Sequence, residues 1–321
     1  MLEVKVPTQE SQETAQVTPV PSDNTPSEGV ETSPEAGYTP EQVKEMVDEV
    51  VATPKRTRVW EVDFVRGFMI LFVVWDHLMW DLCNFGPYQS AFFTTLYEFA
   101  KSYSSGLLRE TTHDAFVTLF VFTSGVSCSF ARSNGRRAIK MVAFALLLTA
   151  VTYALTSIFK QNMTMHFNVI HVIALSVVFW TAIEWLWSKC KKNWQKNIFG
   201  VTMFAVIMTA LVVGYCAKVQ PWTNENPAWY FLAMHQNNIP SFAEFWGGDY
   251  LPFFPDFGWF LIGAFLGRIL YKERKSIFPS VNAKWVCPVT FCGRFSIWIY
   301  FGSQVLMAGM LILLKEVIGC I

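Results

Sequence analysis

Charged residues are scarce in this chain. They make up 16% of the 321 residues, whereas hydrophobic residues make up 52%. Soluble domains carry about 25% charged residues, so the composition excludes an ordinary soluble globular protein. The abundance of Phe (29) and Trp (13) is typical of lipid-facing and interfacial packing. The sequence therefore predicts an integral membrane protein, and no nucleic-acid partner is expected.

Cysteine pairs with metal-binding spacing are also missing. None of the seven cysteines belongs to a Cys-x-x-Cys motif, and most lie inside apolar runs, as Cys128, Cys216 and Cys292 do. Such cysteines usually act as small buried hydrophobic residues. We therefore expect no metal site.

The N-terminal segment lacks the basic start and apolar stretch of a signal peptide. Residues 1–38 are rich in Pro, Ser, Thr and Glu and cannot bury enough apolar area to fold. Residues 1–54 hold 11 acidic and 2 basic residues, and the remainder holds 14 acidic and 23 basic. We therefore expect a disordered acidic cytoplasmic tail over residues 1–54, with a short amphipathic helix near 40–52, and a transmembrane domain over residues 55–321.

Long apolar runs follow this tail. A helix needs about 20 residues to span a bilayer, and the segment 86–108 is mixed enough to predict an extramembrane or interfacial helix instead. Seven runs are long enough: 62–83, 112–131, 138–159, 165–187, 198–217, 252–271 and 291–314. The expected fold is an all-α bundle of about seven transmembrane helices.

Lysine and arginine are concentrated at alternate ends of these spans. They precede the first span at Lys55, Arg56 and Arg58, and they follow the second, fourth and sixth spans. The loops in between carry few. Because short cytoplasmic loops carry an excess of Lys and Arg, we expect a cytoplasmic N-terminus and an extracytoplasmic C-terminus in a multi-pass plasma (cytoplasmic) membrane protein.

The first span contains ionisable residues within the membrane, where a charged side chain costs free energy. A charged side chain in mid-membrane costs about 2.5–3.5 kcal/mol on insertion scales and marks a functional hypothesis. Helical periodicity places Asp63 and Arg66 on one face at the cytoplasmic end, and His77 and Asp81 on that face near the outer end. Asp76 points elsewhere and carries less weight. We call this face the polar stripe, and it predicts a route for chemistry across the bilayer.

A second histidine is expected at the depth of His77. His171 lies about as far inside the outer end of the fourth span as His77 does in the first. Two histidines at one level, with Asp81 one turn from His77, are suited to general base catalysis; a helix-packing role is the alternative for His77. His113 and Asp114 open the second span from the outside, and Asp114 either orients a catalytic group or caps the helix.

Arginines gather at the opposite, cytoplasmic level. Asp63 should pair with Arg66, three residues later, in a structural role. The arginines at or just inside the inner boundary are Arg66, Arg132, Arg268 and Arg294. They are either membrane anchors or a cluster that receives the phosphates of a nucleotide-like ligand. Ser124 and Gly125, with further small residues in the second and sixth spans, predict close helix packing.

Several motifs in order resemble one family of membrane acyltransferases. They are Asp63-Phe-Val-Arg66-Gly67 followed by His77; Phe120-Val-Phe-Thr-Ser124-Gly125; Phe167-Asn-Val-Ile-His171; Asp249-Tyr-Leu-Pro252; and Gly293-Arg294-Phe-Ser296-Ile-Trp-Ile-Tyr300. Over roughly residues 58–314 the chain resembles the bacterial branch of the heparan-α-glucosaminide N-acetyltransferase catalytic family.

This resemblance implies an acetyl-CoA-dependent transferase. The CoA phosphates would lie on the basic rim formed by the four arginines, and an extracytoplasmic sugar amine or hydroxyl, as part of a glycan, would accept the acetyl group. His77 would deprotonate the acceptor or transiently carry the acetyl group. The expected surroundings are membrane lipid, and a homodimer is one option for the assembly. The chain departs from many relatives in having Phe301-Gly302-Ser303-Gln304 where they have a histidine.

Two other functions remain open at this stage. A transporter of a polar or lipid-linked solute would also use a polar stripe, although we see no internal repeat or paired broken helices. A seven-span sensor is the third option, against which the missing cytoplasmic effector domain argues.

Overall fold

The computed structural model describes residues 39, 59–159, 164–219, 232, 250–279 and 285–314. The predicted disordered tail and the predicted helix near 40–52 lie outside the described residues, apart from Thr39. So does almost all of the polar loop before Tyr250. The structure described below is therefore that of the membrane domain.

The described residues are all-helical, as expected from the sequence, and contain no strand. They form nine α-helices: α1 (Trp60–Phe85), α2 (Ala91–Ser104), α3 (Leu107–Val126), α4 (Asn134–Phe159), α5 (Val169–Lys189), α6 (Asn193–Val219), α7 (Asp256–Leu270), α8 (Cys287–Arg294) and α9 (Ser296–Ile312). A 3₁₀ turn, Ser127–Phe130, follows α3. The helix α2 lies within the segment expected to be extramembrane or interfacial.

Each of the seven predicted spans overlaps a helix, and the last overlaps both α8 and α9, but fewer helices have the length and composition of a membrane span. Among the described residues, Asn134–Ile158, Val169–Lys189 and Asn193–Ala217 are long and apolar enough, and the pair α8–α9, bent by 85°, would make a fourth. The sequences of α1 and α3 include several charged residues, and α7 has only 15 residues. The structure thus supports a membrane protein with three or four candidate spans, and the number seven stays a prediction.

The long helices run between two chemically different ends. We call one the basic end, defined by Arg66, Arg137, Arg268 and Arg294. We call the other the histidine end, defined by His77, His113 and His171. The chain direction alternates between these ends from α1 to α3, α4 and α5, as short connections between antiparallel helices require.

The helices α1 and α8 cross with their backbones in contact at two glycines. A Cβ atom added at Gly67 would lie 1.8 Å from the carbonyl oxygen of Val289, and one added at Gly293 would lie 1.7 Å from the carbonyl oxygen of Asp63. Only glycine permits such an approach, which is the packing mode that small residues provide in membranes. This contact brings the C-terminal end of α8 against the first turns of α1.

A second glycine contact joins α3 to α7. A Cβ atom at Gly125 would lie 2.1 Å from the carbonyl oxygen of Phe260, and one at Gly263 would lie 2.1 Å from that of Phe122. The helix α7 also packs on α5 and α6. Buried apolar residues of α1, α3, α5 and α7 form one continuous core around these crossings.

Replacing Gly67 with alanine should destabilise the fold, because backbone atoms of α8 leave no room for the added methyl group. We expect a loss of about 1–3 kcal/mol, as for other overpacked interiors. The measurement is the thermal unfolding of the protein in detergent, followed by tryptophan fluorescence.

The matched control is Gly302→Ala in α9, where an added Cβ would meet no atom within 4 Å. This change should leave stability unchanged or raise it by up to about 1 kcal/mol through helix propensity. Equal unfolding midpoints for the two variants would contradict the backbone contact at Gly67.

Candidate active site

A cavity at the histidine end is bounded by α1, α3, the start of α5, α9 and the segment at Tyr250. It contains about 510 Å³ of space not filled by protein atoms, part of which opens to solvent. Its polar lining side chains are Asp76, His77, His113, Tyr250 and Tyr300, and the rest of its wall is apolar. A mostly apolar cavity with a few converging polar groups is the usual form of a small-molecule site.

Asp76 is held rigidly at the wall of this cavity. Arg109 donates to it through both Nε (2.7 Å to Oδ1) and Nη2 (2.9 Å to Oδ2). The hydroxyl of Tyr103 donates to Oδ1 at 3.3 Å. Burial and the neighbouring Asp76 carboxylate raise the pKa of Tyr103, so this phenol stays protonated and able to donate. A two-pronged arginine contact fixes the orientation of a carboxylate as well as stabilising its charge.

His113 lies between two carboxylates. Its Nε2 atom is 3.8 Å from Asp76 Oδ2, and its Nδ1 atom is 3.6 Å from Asp114 Oδ1. The imidazole is 36% exposed, whereas the Asp76 side chain is only 10% exposed. The imidazole of His113 is therefore placed between a carboxylate of α1 and one of its own helix.

His77 lines the same cavity and packs on Tyr300. The two ring centroids are 5.5 Å apart with their planes at 64°, an edge-to-face arrangement. The Tyr300 hydroxyl accepts a hydrogen bond from Asn168 Nδ2 at 3.2 Å. Tyr300, Asn168 and their contacts therefore support the wall against which the His77 ring lies.

His171 occupies the far side of this wall. Its Nδ1 atom lies 2.9 Å from Asn168 Oδ1, and its Nε2 atom lies 3.0 Å from the hydroxyl of Thr149. Asn168 also accepts from the backbone N–H of Ile170, so Asn168 and His171 together form a capping box that starts α5. The structure thus places His171 behind Asn168 and Tyr300 and not among the residues that line the cavity.

Asp81 lies one turn beyond His77 on α1 and faces α9. Its side chain is almost fully buried and accepts a hydrogen bond from Gln304 Nε2 at 3.4 Å. Gln304 belongs to the stretch in which many relatives have a histidine. Asp81 is not among the residues lining the cavity.

At the basic end, the α1–α8 crossing gathers five polar groups. Arg66 donates to Asp63 (3.4 Å), to the carbonyl of Gly293 (3.4 Å) and to the Ser127 hydroxyl. Arg294 Nε lies 3.7 Å from the other oxygen of Asp63, and its side chain is 44% exposed. The expected pairing of Asp63 with Arg66 is present, and Arg294 joins it from α8.

The other two predicted arginines have different surroundings. Arg268 donates to Glu184 and stacks 4.9 Å from the centroid of the Trp180 ring. Arg132 is exposed. The sequence reading did not single out Arg137, which donates to the Ser124 hydroxyl at 2.9 Å and to its carbonyl oxygen at 3.1 Å. Ser124 and Gly125 thus serve packing and arginine binding at the end of α3.

Tertiary structure adds three residues to the site that the sequence reading underweighted or missed. Asp76 was set aside because it lies off the polar stripe, yet it lines the cavity beside His77. Arg109 is not among the residues that the sequence analysis singles out, and His113 is given there only as the start of the second span. The one signal available in the sequence was the spacing of Arg109 and His113, four residues apart on one helix face.

This arrangement is equipped for proton transfer at the histidine end and for anion binding at the basic end. The cavity extends along α1 from His77 to Ile70, and Ile70 is one helical turn from Arg66. The rise of the helix between Arg66 and His77 is roughly 16 Å. An anion-binding residue, Arg66, and a proton-transfer residue, His77, therefore lie on one helix. The cavity extends along most of the distance between them.

The pair Arg109–Asp76 gives a stability prediction. Arg109→Gln should cost about 3 kcal/mol, the lower end of the range for breaking a buried ion pair, because Asp76 keeps its charge without its partner. Thermal unfolding in detergent measures the loss. The double variant Asp76→Asn/Arg109→Gln should recover part of it.

The control for this pair is Lys275→Gln. Lys275 and Glu273 form an ion pair 3.1 Å apart with both side chains 75% exposed, and such surface pairs contribute about 0–1 kcal/mol. A loss for Arg109→Gln no larger than that of the control would show that Asp76 does not need its partner.

Comparison with known proteins gives one match. The family model described as "Heparan-alpha-glucosaminide N-acetyltransferase, catalytic" matches residues 58–305. No curated protein and no solved structure matches the chain. The matched range contains every polar residue that lines the cavity and both glycine crossings.

Proposed function

Because the chain belongs to the heparan-alpha-glucosaminide N-acetyltransferase catalytic family, we propose that it moves an acetyl group from cytosolic acetyl-CoA to a sugar amine or hydroxyl outside the cytoplasm. The family makes the chain an acyltransferase of the membrane. The donor, the acceptor and the direction of transfer are the parts that we propose.

The observation that carries this proposal is the cavity lined by His77 and His113. It offers two imidazoles and a fixed carboxylate in a mostly apolar setting. Deprotonating an amine or hydroxyl needs a positioned base with a pKa near neutrality, which histidine supplies. The mostly apolar wall suits the acetyl group.

The proposed topology has seven spans with the N-terminus in the cytoplasm. It makes the basic end cytoplasmic, as the distribution of Lys and Arg requires, and the histidine end extracytoplasmic. Under this topology the protein lies in the plasma (cytoplasmic) membrane. Acetyl-CoA would then meet the basic end, and the acceptor would meet the cavity.

The CoA phosphates would bind at the basic end. Arg66 is held by Asp63, Ser127 and Gly293, so its role is to fix the floor of the site. Arg294 is more exposed and points from the same crossing, which suits direct phosphate contact. The exposed Arg132 and the Glu184-bound Arg268 would complete the rim.

At the histidine end we assign His77 to the reacting groups. It would deprotonate the acceptor or carry the acetyl group between donor and acceptor. His171 would support the wall of the site through Asn168, and Asp81 would do so through Gln304. Asp114 would orient His113. A glycan bearing the sugar acceptor and the surrounding lipid are the proposed partners, with homodimer formation as an open option.

One structural feature favours an alternative, a transporter of a polar or lipid-linked solute. The helices α8 and α9 form a pair bent by 85° within one predicted span, and broken helices at a polar site are common in transporters. A transporter would move its solute without consuming acetyl-CoA.

The acyltransferase proposal predicts that purified protein in lipid nanodiscs consumes acetyl-CoA when glucosamine is added. His77→Gln should lower kcat by about 10²–10⁴-fold, the usual contribution of acid–base catalysis. His166→Gln, a histidine outside the cavity lining, is the matched control and should retain wild-type turnover.

Two results would contradict this assignment. Equal turnover of His77→Gln and wild type would remove His77 from the mechanism. Flux of solute into proteoliposomes without any acetyl-CoA consumption would favour the transporter.

If the basic rim binds the CoA phosphates, replacing one of its arginines should weaken the binding of acetyl-CoA and not that of the acceptor. Arg294→Gln should raise the KM for acetyl-CoA about tenfold or more, since a hydrogen bond to a charged group contributes about 1.5–3 kcal/mol. Its KM for the acceptor should stay unchanged. Steady-state kinetics measure both, with the exposed Arg136→Gln as the control at the same end, and an unchanged KM for acetyl-CoA would exclude Arg294 from the rim.

A further inference from the structure

The segment that follows α7 exposes basic and apolar side chains together. We call residues 271–279 the α7–α8 loop. Its exposed side chains include Lys272, Glu273, Arg274, Lys275, Ile277 and Phe278. The loop leaves α7 just after Arg268, so it belongs to the basic end of the bundle. The acyl transfer proposed above gives these side chains no role.

One buried carboxylate anchors this loop to the first turn of α1. Glu61 is only 8% exposed. Its Oε1 atom accepts from the backbone N–H of Ile277 at 2.7 Å, and its Oε2 atom accepts from the Ser276 hydroxyl at 2.9 Å. Hydrogen bonds to a charged carboxylate are stronger than those between neutral groups. The backbone at Ile277 is therefore held beside the start of α1, with the side chains of Ile277 and Phe278 exposed there.

The first half of the loop is a turn that begins at a buried residue. Tyr271 is buried, and its ring centroid lies 5.1 Å from that of Phe130. The backbone N–H of Arg274 donates to the carbonyl of Tyr271 at 2.9 Å, which closes the turn. Because Tyr271 faces the bundle, the residues after it form the outer surface of the turn.

This turn carries positive charge that its neighbours leave uncompensated. Glu273 pairs with Lys275 at 3.1 Å, so these two charges offset each other. Within the part of the chain that the structure describes, Lys272 and Arg274 form no ion pair. Two positive charges therefore face the surroundings, a few residues before the exposed apolar side chains of the same loop.

Basic and apolar groups side by side suit the surface of an anionic membrane. A soluble anion would bind the cations but leave the apolar side chains in water, and the hydrocarbon core would leave the cations without solvation. Headgroups and acyl chains meet both needs at their boundary. Anionic lipids of the cytoplasmic leaflet attract basic segments next to the membrane, and the proposed topology places the basic end at that leaflet.

We propose that the α7–α8 loop is a docking surface for anionic phospholipids. Lys272 and Arg274 bind the headgroup phosphates, and Ile277 and Phe278 enter the acyl region beside them. Glu61 holds the loop in the position that this contact needs. The occupant is the lipid leaflet at the basic end and not the CoA donor, and the contact does not require acyl transfer to take place.

The test places the photoreactive residue benzoylphenylalanine at Phe278 of the full chain, in nanodiscs of three parts phosphatidylcholine to one part phosphatidylglycerol. Mass spectrometry then identifies the lipids crosslinked by light. Phosphatidylglycerol should exceed its share of the bilayer about fivefold or more, as expected from the attraction of Lys and Arg to an anionic surface. The matched control carries the label at Leu146, an exposed apolar residue of α4, and should give the two lipids in their bulk ratio.

The role of the two cations is tested with the label kept at position 278. The double variant Lys272→Gln/Arg274→Asn should bring the crosslinked lipids back to their bulk ratio. Asparagine suits position 274, where φ is 56°. The double variant Arg136→Gln/Lys140→Gln removes two exposed cations near the start of α4 and should keep the enrichment. Equal unfolding midpoints of the two double variants in detergent show that both are folded.

Three results would overturn this docking surface. Crosslinks at position 278 in the bulk lipid ratio would show that the loop has no preference for anionic lipid. Crosslinks to solvent or protein alone would show that the loop does not reach the leaflet. Loss of the enrichment on adding CoA or glycerol phosphate would show that a soluble anion occupies Lys272 and Arg274. Enrichment that survives both additions and depends on these two residues is the expected result, whether or not the protein transfers acetyl groups.

Discussion

The structure depends on one constraint, which is that each acidic side chain of α1 must find a polar partner from another part of the bundle. An ion left alone in an apolar interior is expensive, and a membrane offers no water to compensate it. Asp63 meets Arg294 of α8, Asp76 meets Arg109 of α3, and Asp81 meets Gln304 of α9. Glu61 accepts from Ser276 and from the backbone of Ile277. The partners of α1 thus determine which elements surround it.

Glycine contacts make these pairings possible at the basic end. The crossing at Gly67 and Gly293 brings two backbones together, so Arg66 reaches the Gly293 carbonyl and Arg294 reaches Asp63. The contact of α3 with α7 fixes the end of α3, where Arg137 binds Ser124. Close packing and polar pairing therefore occur together at this end, because each arginine reaches a partner on the other helix only where the two helices lie close together.

At the histidine end the same constraint leaves a cavity instead of a closed contact. Asp76, His113 and His77 lie around space that apolar residues of α1, α3 and α5 surround. The hydrogen bonds that join Tyr300, Asn168 and His171 stabilise one wall of the cavity. The hydrogen bonds from Arg109 and Tyr103 to Asp76 stabilise the other. A site with polar groups fixed on rigid helices is suited to catalysis, because the groups need not reorganise during the reaction. This rigidity is the structural basis of our assignment of acyl transfer to this end.

The sequence by itself determined the membrane class, the all-helical fold and the family. It did so because hydropathy and the 3.6-residue period are properties of one segment at a time. The pairing of Asp63 with Arg66 could be predicted for the same reason, as both lie on one helix face three residues apart. Only the tertiary structure decided that Asp76 faces the cavity, that Arg109 and Tyr103 hold it, and that His171 lies behind Asn168 while His113 lines the site. These relations join residues of different helices, and the angle and depth at which two helices meet depend on their packing contacts, which no single periodicity contains.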